Sequence, residues 1–151
     1  MAHADQLTIQ AGTPGVTLMQ SAGQAVANEI CRRWSPRPVH IVCGPGNNGG
    51  DGFVVARLLH EHGWPVKLAL LGSLADLQGD ARHHASRWSG PIHAAQPDFL
   101  DGAQLVVDAL FGTGLARPLG GVALQLVQKI REMGVPVCAV DIPSGVDGLS
   151  G

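Results

Sequence analysis

The sequence predicts a Rossmann-like three-layer α/β/α sandwich with a mostly parallel sheet. Three observations predict it. Short apolar runs alternate with stretches of helical spacing. Glycine-rich or acidic loops come after the apolar runs, where open α/β sheets bind ligands. The 151 residues are 45% hydrophobic and 15% charged, enough to bury such a sheet on both faces without disulfides.

Thr13-Pro14 reads as a helix N-cap with proline at the first helical position. Val16, Met19, Gly23, Val26, Ala27 and Ile30 recur at helical spacing, and Pro36 and Pro38 stop that helix near Arg33. The run 39–43 is a buried strand, and 44–50 is a glycine-rich loop. Phe53, Val54, Arg57, Leu58 and Leu59 give a second helix, closed by Gly63. A second strand spans 66–71 and a helix 76–88, with a possible short strand at Ile92. A third strand covers 105–108, a loop 110–121, a helix 122–133 and a fourth strand 137–140. No linker or repeat divides the chain, so 1–151 reads as one domain. Because the chain stops soon after 141–145, the domain is expected to be incomplete at its C-terminal end and less stable than a longer form.

A net charge of −2 argues against nucleic acid as a partner. No apolar run approaches the ~18 residues that span a bilayer, and no signal peptide is apparent. The expectation is a cytoplasmic protein. Cys31, Cys43 and Cys138 are odd in number and lack C-x-x-C spacing, so they read as reduced thiols, with Cys43 and Cys138 in the core. His60, His62, His83 and His84 form no H-E-x-x-H motif and read as a solvated face. Trp34, Trp64 and Trp88 fall at element ends and read as packing residues.

Three loops carry the chemistry: G-P-G-N-N-G-G-D-G (44–52), D-A-L-F-G-T-G-L (108–115) and D-I-P-S-G (141–145). Gly44, Gly46 and Gly49 satisfy G-x-G-x-x-G between a strand and a helix, which suits a pyrophosphate at a helix N-terminus. An ordinary dehydrogenase fits less well, because the second strand ends Leu70-Leu71-Gly72 with no acid to hold a ribose. Asp51 is expected in the first turn of the second helix. Asp108 and Asp141 close their strands and either cap the next helix or, with Asn48 and Ser144, offer oxygen ligands to a hard cation.

Together these loops resemble the NAD(P)H-hydrate epimerase family, also called the YjeF N-terminal domain. The resemblance runs from Ala11-Gly12 to Gly145 and includes G-P-G-N-N-G-G-D-G-F (44–53) and V-D-I-P-S-G-V-D (140–147). It implies metabolite repair: an isomerase that interconverts the R and S forms of NADHX or NADPHX, hydrated at C6 of the nicotinamide ring. A separate dehydratase, not fused here, would return the S form to NAD(P)H. The resemblance makes Asn47, Asn48, Gly49, Gly50 and Asp51 substrate-binding. It does the same for Gly112, Thr113, Gly114, Leu115, Ala116, Arg117 and Pro118, and for Asp141. It makes Asn48, Asp108 and Ser144 ligands of a potassium ion, and the protein a homodimer. Epimerisation of the C6 hemiaminal needs loss and return of hydroxide, or ring opening and closure, and both benefit from a carboxylate acid/base. Asp141 is the first candidate for it and Asp51 the second. The alternative is a non-catalytic YjeF-like module that binds a nucleotide or a protein.

Overall fold

The structure is a computed structural model that describes residues 15–111 and 121–140. Helix α1 (Gly15–Arg33) leads into strand β1 (Val39–Cys43), helix α2 (Asn47–Glu61) and strand β2 (Val66–Leu70). Next come a 3-10 turn (Leu74–Asp76), helix α3 (Gly79–Ser86) and strand β3 (Ile92–Ala94). A second 3-10 turn (Pro97–Leu100) precedes strand β4 (Leu105–Ala109), helix α4 (Gly121–Met133) and strand β5 (Val137–Ala139). The five strands are all parallel, in the order β3-β2-β1-β4-β5.

Strands β1 and β4 are buried along their whole length, as central strands of a doubly covered sheet must be. Alternation along β1 assigns the two cores. Val39, Ile41 and Cys43 pack with α1, α2 and α3, around Ile30, Phe53, Leu59 and Trp64. Val42 of β1 and Val106 of β4 pack on the other face with Leu100 and with Leu126, Val127 and Ile130 of α4. The predicted three layers are therefore present.

Helix α2 ends where the sequence placed its stop. Gly63 has φ of +85°, its N–H donates to His60 O at 3.0 Å, and Trp64 N–H donates to Leu59 O at 3.0 Å. That is a Schellman motif, closed by contact between Leu59 and Trp64 in one core. All three tryptophans pack at element ends: Trp64 and Trp88 are buried, and Trp34 lies against the same core.

Several expectations are corrected. The stretch 76–88 is not one helix, because Gln78 is extended and Gly79 has φ of +57°, which breaks it into a 3-10 turn and the shorter α3. Ile92 does begin a strand, so the described sheet has five strands rather than four. Half of the supposed loop 44–50 is helical, since α2 begins at Asn47. The Thr13-Pro14 start lies outside the described residues. Among the described residues no helix is long and apolar enough to cross a membrane.

Candidate functional site

In this strand order the chain leaves β1 toward β2 and leaves β4 toward β5, so the sheet changes direction between β1 and β4. The crevice outside the carboxyl ends of those two strands is where such sheets bind ligands. Register places their ends side by side, with Cys43 opposite Ala109. The two loops touch at once: Gly44 N–H donates to Ala109 O at 2.9 Å.

Glycine is what makes this closeness possible. A Cβ on Gly44 would lie 1.8 Å from Leu110 O, and one on Gly49 would lie 1.8 Å from Gly44 O. A Cβ on Gly52 would meet Cys43 Sγ and Ala109 Cβ at 2.7 Å. The first turn of α2 therefore rests directly on the end of β1. Its N-cap, Gly46, is extended and makes no side-chain capping bond. With no cap from Gly46, the leading N–H groups of the helix suit an anionic ligand, with the positive end of the helix dipole behind them.

The structure places Asn47 and Asn48 in this first turn, Asn47 exposed and Asn48 half-buried, with Gly49 and Gly50 buried behind them. Asp51 is half-buried and stands one turn deeper than the sequence suggested, because the helix starts earlier. Asp108 is 4% exposed, one residue before the end of β4 and opposite Val42. Its Oδ1 accepts the N–H of Leu110 at 3.2 Å, which bends the chain out of the strand. Asp108 also lines a cavity of about 250 Å³, together with Val127, Ile130, Val135 and Val137 among others. Gly112, Thr113, Gly114, Leu115, Ala116, Arg117, Pro118, Asp141 and Ser144 lie outside the described residues.

Asn48 Nδ2 is buried and has no hydrogen-bond partner among the described residues. Turning the amide over would put its carbonyl oxygen in the same place, so Asn48 can offer a donor or an oxygen there. With the Asp108 carboxylate on the adjacent strand end, the available donors are oxygens, which fits a hard cation. Among the described residues no three His, Cys, Asp or Glu side chains gather in a metal-binding group.

The thiols and the imidazoles separate by burial. Cys43 is fully buried and burial pushes its thiol far above the usual range, so it is a packing residue. Cys138 is half-buried and also raised by burial. His60, His62 and His83 are exposed as expected. His84 corrects that reading: it is 1% exposed, and its Nε2 lies 2.9 Å from Val16 O. Neighbours on a helix point to different sides, so His83 faces solvent and His84 the core.

The model of the YjeF-related protein N-terminus family matches residues 15–151. The chain belongs to this family. The NAD(P)H-hydrate epimerase of Rhodobacter capsulatus is 48% identical over 146 residues, which cover 88% of this chain and 68% of that protein. The bifunctional NAD(P)H-hydrate repair enzyme Nnr of Thermanaerovibrio acidaminovorans is 39% identical over 99% of this chain and 31% of its own length. Among solved structures, yeast ynu0 superposes with a TM-score of 0.75 at 26% identity, covering 91% of this chain and 65% of that one. The YjeF-type core thus carries the crevice described above.

Proposed function

We infer that this chain is an NAD(P)H-hydrate epimerase domain, an isomerase that interconverts the R and S forms of NADHX and NADPHX. The observation that carries the reading is the shared name of its relatives, up to 48% identical over most of the chain. The geometry supplies reasons. An uncapped helix N-terminus at the crevice suits the pyrophosphate of a dinucleotide. The buried glycines bring backbone rather than side chains against it.

In this reading Asn47, Asn48, Gly49, Gly50 and Asp51 hold the substrate together with 112–118 and Asp141. Asp141, next after Val140 at the end of the last described strand, is the acid/base that takes or gives the proton of the C6 hydroxyl. Asp51 is the second candidate. Asn48, Asp108 and Ser144 would hold a potassium ion, which would supply fixed positive charge beside a dinucleotide in a chain of net charge −2. The reading also carries a cytoplasmic homodimer that works beside a dehydratase. The bifunctional relative, named for hydrate repair, supports the last of these.

The test is a coupled assay. R-NADHX is supplied with an S-specific dehydratase, and recovery of NADH is tracked with and without the protein. Acceleration of NADH recovery supports the epimerase. Tight binding of the hydrate without acceleration would replace it with a non-catalytic binding module.

A further inference from the structure

Behind the glycine-rich turn lies a polar contact shared by three helices that the proposed reaction does not use. On α3, His84 is 1% exposed and its Nε2 faces Val16 O of α1 at 2.9 Å. A carbonyl only accepts, so Nε2 carries the proton and Nδ1 is a bare acceptor. That Nδ1 is buried and has no partner among the described residues. On α2, Arg57 is 13% exposed at its side chain; it donates to Gln20 Oε1 of α1 and lies 3.5 Å from Glu61. Its Nε–H is also buried without a partner. One orphaned donor and one orphaned acceptor thus flank the same helix. Their anchors, Val16 and Gln20, are one turn apart on α1, and the charge of Arg57 acts on the His84 ring.

The contact surrounds the support of the candidate site. A Cβ on Gly50 would lie 2.5 Å from Met19 Sδ on α1 and 3.0 Å from Ala81 Cα on α3. Met19 lies between Val16 and Gln20, and Ala81 is one turn from His84. Whatever fixes α1 and α3 here fixes the backing of the first turn of α2.

We propose that one buried water accepts from Arg57 Nε–H and donates to His84 Nδ1, and that this neutral clamp makes His84 a positioning residue for the glycine-rich turn. The clamp requires an uncharged imidazole. Protonation would put a donor on Nδ1, so the water could no longer donate there and would have to turn, leaving its own O–H groups buried without an acceptor. The side chains that act on the ring oppose its charge: Arg57 from α2, His83 from α3 and Arg87 from its C-cap, while α1 presents Val16 O, which favours it, and the neutral Gln20. Asp80, one turn earlier on α3, lies against Gly15 instead. Burial, with these cations, holds the His84 imidazole below its ordinary value. Acidification therefore opens the clamp, and the first turn of α2 loosens with it.

The test uses nitrogen-detected imidazole spectra and amide hydrogen exchange of the full chain across pH. His84 is expected in its Nε2–H form at neutral pH and to titrate below the ordinary value of 6.5. Protection at Gly49, Gly50 and Asp51 is expected to fall as His84 titrates, by about tenfold for each unit its native value is lowered. His84→Gln keeps a donor toward Val16 O and cannot take up a proton, so protection should become insensitive to pH. Arg57→Lys keeps the charge but removes the Nε–H, and should lower protection at neutral pH. An Nδ1–H tautomer, an ordinary titration of His84, or protection that does not track it would overturn the proposal. Those readouts come from the unmodified protein and stand even where a variant fails to fold.

Discussion

A methyl group at Gly49 decides whether the first turn of α2 can lie on the end of β1. Its Cβ would overlap a backbone oxygen that cannot move aside, so Gly49→Ala should cost about 1–3 kcal/mol, the range for overpacking. Gly46, with nothing within 4 Å, should tolerate alanine at well under that cost. Urea unfolding of the two variants checks the difference. The same scale separates the acid/base from the cation ligands. Asp141→Asn should lower kcat by about 10²–10⁴-fold, the usual share of a general acid/base, with a much smaller change in substrate Kd. A raised Kd with near-normal kcat would move the role to Asp51. Asp108→Ala should reduce the response of activity or ligand binding to potassium, and equal potassium titrations in variant and parent would sink that assignment.

At the scale of elements, the close of α2 is the most legible feature. Gly63 holds φ of +85°, and its neighbour Trp64 returns to the core that Leu59 enters. Gly63→Ala forces a side chain into the left-handed region and should cost about 1–2 kcal/mol, read as a lower thermal midpoint. The start of α2 is the opposite case. Asn47, Asn48, Gly49 and Gly50 have no apolar periodicity and poor helix propensity, yet they are helical. Tertiary contact with Met19, Ala81 and the end of β1 overrides propensity there. Helix α1 closes on exposed charge: Glu29 meets Arg32 and Arg33 at 2.6 Å, and the guanidinium of Arg32, then that of Arg33, holds its carboxyl down to about 2.

For the whole molecule, two buried imidazoles set the response to acid. His40, on the α4 face of β1, bonds Phe99 O through Nδ1 at 2.9 Å, and His84 bonds Val16 O. Burial lowers both below the ordinary value of 6.5. The unfolded chain then binds more protons than the folded one as pH falls below about 6.5, so stability must fall over that range. Above it the contribution is complete. Urea midpoints should be flat from pH 8 to 7 and decline toward pH 5, and His40→Gln with His84→Gln should flatten the decline. Glu29 acts only at much lower pH and leaves this window untouched.

By itself the sequence determined the class of fold, the three apolar runs at 39–43, 66–71 and 105–108, the stops at Pro36 and Gly63, and the loops that carry the family resemblance. Each rests on local chemistry: a buried parallel strand must be apolar, a helix must end where glycine or proline ends it, and a ligand loop needs small residues. Only the tertiary structure decided the order β3-β2-β1-β4-β5, and with it the crevice between β1 and β4, because parallel pairing joins residues far apart in the chain. It also decided that α2 begins at Asn47, that Gln78 and Gly79 divide the stretch 76–88, and that His84 faces inward while His83 does not. Those outcomes depend on which neighbours arrive from other helices, and no window of sequence contains them.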